Sequence, residues 1–215
     1  MIRVLAFIRR RADVSRDAFR CHYEEVHVPT ALPTLGGVVH YVRQHIREEI
    51  FGAPGFDCMT SFEYRDAAAV RAAFERIEGP QGDAIRRDEL RFMDKPANVF
   101  FAVEEATAWE ATPARAERAR LVVCVRRPEG EEPASFRARF LNDGLPALRT
   151  AVEDAGWCRP QWARPGVAQG IGFDAVTEIG AGGAGELARW ASEIESEGAR
   201  VIAVRVSLHE TRMPD

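Results

Sequence analysis

Short apolar runs rich in β-branched and aromatic residues alternate along the chain with stretches of helical spacing. Strand-type runs fall at 2–10, 37–47, 56–64 and 97–104. A helix is predicted over 15–27. Ser15 is placed to accept an orphan first-turn N–H, and Asp17 suits the positive helix end. Phe19, Tyr23, Val26 and His27 recur at three- and four-residue spacing as an inward stripe, and Pro29 predicts a stop. A second helix is predicted over 66–77, with Val70, Phe74 and Ile77 on one side and Gly79-Pro80 after it. A short extra helix follows over 81–90. The later half reads as strands at 119–126, 173–179 and 200–209, an irregular strand near 157–163, and helices at 133–152 and 184–196. Pro133 fits a first helical turn.

The order is βαββαβ, twice. RVLAFIRR at 3–10 matches RLVVCVRR at 120–127, an offset of 117. At that offset FRCHYEEVHVP (19–29) faces FRARFLNDGLP (136–146), and GFDCMT (55–60) faces GFDAVT (172–177). Three blocks in one register predict a duplicated module. The expected division is a first unit at 1–106, a linker at 107–117 and a second, degenerate unit at 118–215 without the insert of 80–96. Both faces of the first strand are apolar, Leu5 and Phe7 on one and Val4, Ala6 and Ile8 on the other. Helices cover one face of such a sheet. The expectation is therefore an α+β pseudo-dimer in which the two sheets cover each other.

Composition narrows the function classes. With 29 Lys+Arg against 33 Asp+Glu, the formal net charge of -4 argues against a nucleic-acid binder. No run reaches the roughly 18 apolar residues of a membrane span. Only five apolar residues separate Arg3 from Arg9, too few for a secretory leader, so a cytoplasmic location is expected. Cys21, Cys58, Cys124 and Cys158 form no CxxC or CxxH pair and read as core thiols rather than a zinc set. His22 and His27, five apart, would project about 140° apart on an α-helix, poor for chelation. No phosphate-binding glycine loop is present; GAGGAG at 180–185 reads as a turn. No metal or cofactor is expected.

The stretches LAFIRRRADVSRDAFRCHYEEVHVP, GGVVHYVRQH and GFDCMTSFEY, followed by DELRFMDKPANVFFAVEE, resemble an EthD domain. The resemblance implies two ferredoxin-like βαββαβ units packed sheet to sheet as an intramolecular dimeric α/β barrel. Relatives in that superfamily include isomerases, cyclases, dehydratases, cofactor-free monooxygenases and haem enzymes. It therefore supports the fold far more than the reaction. The family's recurring polar feature is the histidine that stands here as His27.

His27 shares a helical side with Tyr23 and Phe19. A histidine there reads either as a proton shuttle near neutral pH or as a structural group bonding a loop carbonyl. In the second unit Gly144 replaces His27 and Phe140 replaces Tyr23, so a catalytic site is expected in the first unit, with His27 and Tyr23 as its catalytic pair. Tyr41, Arg43 and His45 share one strand face, and Tyr41 and His45 are expected to line a substrate pocket between the sheets. Asp57 recurs as Asp174, which favours a structural role; as a substrate-side residue it would orient His27 or Arg43. Arg9 and Arg10 read as a salt-bridged strand end. Trp157, Trp162 and Trp190 read as core. The leading expectation is a cofactor-independent lyase, cyclase or isomerase acting on a small hydrophobic or aromatic oxygenated compound. The alternatives are a cofactor-free or haem-linked monooxygenase, with His209 as an axial candidate, and a non-enzymatic binding protein. The expected partner is that small molecule, with no nucleic acid or membrane, in a monomeric pseudo-dimer or a homodimer.

Overall fold

The computed structural model describes residues 1–105, 109–110, 119–164 and 172–213. Nine strands and seven α-helical segments are described. The strands are β1 (Ile2–Ile8), β2 (Val38–Phe51), β3 (Cys58–Tyr64), β4 (Val99–Glu105), β5 (Trp109–Glu110), β6 (Ala119–Arg126), β7 (Trp157–Ala163), β8 (Ala175–Ala181) and β9 (Arg200–Arg212). The helices are α1 (Arg16–His22), α2 (Val28–Ala31), α3 (Ala67–Glu78), α4 (Asp83–Phe92), α5 (Pro133–Arg139), α6 (Leu145–Ala151) and α7 (Leu187–Ser196). The chain is α+β. Of the expected linker, only the two residues of β5 lie among those described.

The chain forms two compact units, residues 1–45, 55–102 and 208–215 in one, and 46–54 and 103–207 in the other. In the first unit the strand order is β4-β1-β3-β2, with the end of β9 beside β2. All its β1–β3 and β2–β3 pairs are antiparallel, Ile8 facing Cys58, His45 facing Cys58 and Tyr41 facing Phe62. Val4, Ala6, Ile8, Phe19, Tyr23 and Phe92 belong to one apolar cluster between sheet and helices. The opposite face of β1 is also buried, with Phe7 stacked 4.5 Å from Phe56 and 5.5 Å from Phe101. In the second unit the order is β9-β6-β8-β7, again antiparallel. Its core holds Leu121, Phe136, Phe140, Trp162, Ile179 and Trp190.

Elements recur at the sequence offset. β3 and β8, α1 and α5 begin 117 residues apart. The pairing His45–Cys58 becomes Trp162–Ala175. One clamp is repeated in detail. Asp57 donates its N–H to the Ile8 carbonyl (2.8 Å) and its carboxylate accepts from the N–H and Nε of Arg10, both at 3.0 Å. Asp174 donates to the Val125 carbonyl (2.9 Å) and accepts from the Arg127 N–H (2.9 Å) and guanidinium. Each aspartate thus ties the start of one strand to the end of its neighbour.

The first helix departs from its prediction. Ser15 caps it, accepting from the Ala18 N–H at 3.2 Å. It does not end before Pro29. A π-helical turn at Tyr23–His27 connects α1 to α2, and a 3-10 turn continues to Thr34. Pro29 lacks an N–H and its ring clashes with the carbonyl four residues back in a regular helix. The wider turn, in which the Val28 N–H reaches back to the Tyr23 carbonyl, opens the ladder at that point. The same turn recurs at Phe140–Gly144, just before Pro146. Val26 and Phe74 are exposed rather than inward (42% and 38%). Cys21 is likewise exposed, whereas Cys58, Cys124 and Cys158 are buried.

Candidate active site

The π turn decides what the first helix presents. Residues five apart would diverge on a regular α-helix, but an i to i+5 turn carries them toward one side. His22 and His27 accordingly converge on one carboxylate. Asp88, on α4 and buried, accepts from His22 Nε2 at 2.8 Å and from His27 Nδ1 at 3.0 Å. An ionised carboxylate only accepts, so the proton of a neutral His27 sits on Nδ1 and Nε2 is left bare as a base. The imidazole is packed by Tyr23 (ring centroids 5.0 Å apart) and Phe92 (5.3 Å). Burial holds its pKa below the ordinary histidine value, against the opposing pull of Asp88 and Glu89. The ring is therefore neutral at pH 7.

His27 lines a cavity of about 250 Å³ on the helix side of the first unit's sheet. Tyr23 and Tyr41 line it with His27, and Leu35, Phe62 and Ile85 contribute to its apolar wall. Phe74 and Phe100 also line it, edge to face at 6.5 Å and both partly exposed, which places them at the mouth. Lys95 and Glu89, ion-paired with each other, join them in the lining. The Tyr23 hydroxyl lies 3.1 Å from Thr60 Oγ1, and Tyr41 stacks on Phe62 at 4.8 Å. Burial pushes both phenols well above their ordinary pKa, so each remains a hydroxyl able to donate. A bare imidazole nitrogen and two phenol donors lining a largely apolar cavity can abstract one proton and hold one oxygen.

Of the residues singled out from sequence, the structure brings His27, Tyr23 and Tyr41 together. His45 and Asp57 lie outside the cavity lining. His45 Nε2 is 2.7 Å from Glu24 Oε1, and Glu24 also accepts from Arg43 Nη2 at 2.6 Å. Asp57 is held by Arg10 and, at 3.3 Å, by Arg16 Nε. His209 sits beside the Glu24 cluster, its Nδ1 3.6 Å from Glu24 Oε2 and its ring edge-on to His45 at 5.3 Å. Asp88 was not anticipated. Its one sequence signal is a carboxylate on the amphipathic helix of the insert, level with Ile85 and Phe92 on the buried side. Among the described residues no three His, Cys, Asp or Glu side chains gather as a metal-ion set. No described helix is long and apolar enough to cross a membrane. Trp162 and Trp190 are core, and Trp157 lies under the guanidinium groups of Arg120 and Arg159.

This fold and pocket define an α+β protein with a small apolar cavity beside a histidine–carboxylate pair. Residues 11–96, which include His22, His27 and Asp88, match the EthD domain. The fold resembles several solved structures of low identity. An anthrone oxidase-like protein is 12% identical with a TM-score of 0.61, over 100% of this chain and 94% of that one. A candidate monooxygenase from Fusobacterium nucleatum is 10% identical with a TM-score of 0.51, over 100% and 95%. A mutant chlorite dismutase from Candidatus Nitrospira defluvii is 8% identical with a TM-score of 0.53, over 96% and 91%. No curated protein matches the sequence.

Proposed function

We propose that this protein is a cofactor-independent enzyme that moves a proton on a compact aromatic or otherwise apolar oxygenated molecule, as an isomerase, cyclase or lyase does. His27 Nε2 takes a proton from carbon next to a carbonyl. The Tyr23 and Tyr41 hydroxyls hold the oxygen on which charge develops. Asp88 fixes the ring and stabilises the imidazolium while it exists. The proton returns to a second carbon for isomerisation, or to a leaving hydroxyl for elimination. The observation that carries this reading is the bare edge of His27, backed by Asp88, in an apolar cavity that also presents two phenols. The size fits: a cavity of about 150 Å³ accepts benzene, so one of about 250 Å³ suits one or two small rings. The offset shared by π turn, aspartate clamp and strand register supports an origin by duplication, with the chemistry retained in the first unit.

The test is hydrogen exchange in D2O on a panel of one- and two-ring enolisable ketones, read by mass. The protein is expected to speed exchange at carbon next to the carbonyl, and His27→Gln to abolish the acceleration. Ligand binding without exchange, unchanged in His27→Gln, would refute it in favour of a binding protein. A second reading draws on the anthrone oxidase-like and monooxygenase names among the similar folds. The carbanion formed by the same base would then react with O2. Oxygen uptake dependent on His27 would select that reading.

A further inference from the structure

A second array of titratable groups lies on the β2 face that carries Tyr41. Half-buried Glu24 joins buried Arg43 and His45 there. On β2 and β3, His45 faces Cys58 and Arg43 faces Thr60 across the antiparallel ladder, their side chains on the face that carries Tyr41. Directly opposed side chains of this kind lie about 4.5–5.5 Å apart at Cβ. His45 is 1% exposed. Its Nε2 bonds Glu24, and its Nδ1 is buried without a hydrogen-bond partner, opposite Cys58 across the ladder. Cys58 Sγ is 3.6 Å from Thr60 Oγ1, and Thr60 Oγ1 is 3.1 Å from the Tyr23 hydroxyl. The Tyr23 and His45 rings are themselves edge to face at 5.3 Å. A turn of the Cys58 thiol to meet His45 Nδ1 lets every donor in this series point the same way, from His45 toward the cavity.

We propose, building on the proton-transfer reading above, that Glu24, His45, Cys58 and Thr60 form a relay that ends on the Tyr23 hydroxyl and makes that hydroxyl the acid of the cavity, opposite the His27 base. As His27 removes a proton from ligand carbon, Tyr23 gives its proton to the ligand oxygen. Thr60 replaces it on Tyr23, Cys58 replaces that on Thr60, and His45 Nδ1 gives its proton to Cys58. Each hop breaks one X–H bond and forms the next. The imidazolium becomes imidazole, and the ligand oxyanion becomes a hydroxyl. When the second half of the reaction restores the carbonyl, the hops reverse. His45, Cys58 and Thr60 are positioning residues; only Tyr23 meets the ligand.

The second unit supplies an internal control. At the equivalent positions, 117 residues on, Glu24 becomes Leu141, His45 becomes Trp162, Cys58 becomes Ala175 and Tyr23 becomes Phe140. The packing is kept: Phe140 and Trp162 meet edge to face at 5.7 Å, as Tyr23 and His45 do. Only the threonine survives, as Thr177, and its buried hydroxyl has no partner. The polar series is therefore not required to pack this layer. An unpaired buried hydroxyl is a cost, and it is what remains when a hydrogen-bonded chain loses its other members.

The groups facing His45 are Glu24, Phe19 and Tyr23 from the first helical segment, Cys58 from β3, and His209 from β9. Arg43 lies on its own strand. Burial opposes the charge on His45, but Cys58 and Glu24 outweigh it and lift its pKa to about 9. Below that pH the relay holds its proton.

The experiment uses 4-nitrophenol, whose phenolate is followed by its own absorbance, titrated into the intact protein. The wild-type protein is expected to bind the phenolate, with affinity falling about threefold to tenfold as pH rises through about 9. Thr60→Val, which keeps volume and strand propensity, and His45→Gln are expected to bind more weakly below that pH and to show no such fall. Binding that is weakened by His27→Gln but keeps the same step in folded Thr60→Val would overturn the relay and leave the proposed function standing. Absence of binding to the wild-type protein would overturn both.

Discussion

Replacing Asp88 by asparagine tests the site at the point on which its acid–base logic depends. The carboxylate receives two bonds, from His22 Nε2 and His27 Nδ1, inside a buried pocket. Asparagine offers one acceptor oxygen and one NH2 donor. It can serve one imidazole as aspartate does, but the other must meet an N–H and move its proton to the far nitrogen. Each hydrogen bond to a charged group is worth about 1.5–3 kcal/mol, and removing a buried charge returns part of that. A net loss of about 2 kcal/mol follows. For a chain of this length that lowers the melting temperature by roughly 4–8 °C. Long-range proton–nitrogen NMR of the imidazoles reads the tautomers directly. The wild-type protein should carry its protons on His22 Nε2 and His27 Nδ1, and Asp88→Asn should move at least one of them. Unchanged tautomers together with an unchanged melting temperature would show that Asp88 does not orient the base, and the assignment of His27 Nε2 as the free nitrogen would fall with it.

Three further outcomes are expected. Because burial lowers the His27 pKa, exchange activity should rise with pH through a midpoint below the ordinary histidine value of 6.5 and be level at neutrality; a midpoint above that value would contradict the burial argument. His45, lifted against its burial by Cys58 and Glu24, has the opposite sign. With His45 raised from 6.5 to about 9, its contribution is complete below 6.5 and is lost as pH climbs through about 9. The full shift sets a ceiling of about 3 kcal/mol, discounted to roughly 1–2 for desolvation and for Glu24, held at about 2 by the same contact. Urea midpoints on either side of that pH should show the loss in the wild-type protein and not in His45→Gln. Asp57→Ala removes an acceptor from Arg10 and Arg16 and should cost about 2 kcal/mol in denaturation while leaving 4-nitrophenol affinity unchanged; a loss of affinity would place Asp57 in the site.

Much of the scaffold is legible in the sequence because it is local. The strand at 119–126 is predicted to the residue, and the three blocks at one offset foretell where π turn, aspartate clamp and strand register recur. The grouping of Tyr23 and His27 follows from spacing alone. What is missed depends on distance or on irregular backbone. Asp88 lies 61 residues from His27, and nothing in either segment names the other. The convergence of His22 and His27 is hidden because a 100° step per residue holds only for an α-helix, and Pro29 reads as a stop when the π turn lets the chain pass. Val26 and Phe74 fit their apolar stripes yet are exposed, Phe74 at the cavity mouth. His45 sits on the same strand face as Tyr41, as alternation requires, but Glu24 draws it toward an ion-pair cluster instead of the cavity lining.

The second unit shows why the fold does not need the chemistry. Its π turn carries Gly144 where the first unit has His27, and a Cβ there would stand 2.8 Å from Phe140 Cδ2. The Phe140 ring is pinned between Phe136 at 5.7 Å and Trp162 at 5.7 Å, so it has little freedom to yield. Gly144→Ala should therefore destabilise the protein by about 1–3 kcal/mol, measured by urea denaturation, although alanine is the better helix former. In the first unit Tyr23 accommodates a full imidazole four residues on, the two rings meeting edge to face at 5.0 Å. The second unit lacks the insert that supplies Asp88. A histidine at 144 would meet no carboxylate from that insert and a closed aromatic layer. The base, its carboxylate and the open volume thus form one linked condition, and the second unit has neither the base nor the insert that carries the carboxylate. A stable or stabilised Gly144→Ala protein would show that Phe140 can rotate away and that the layer is not closed.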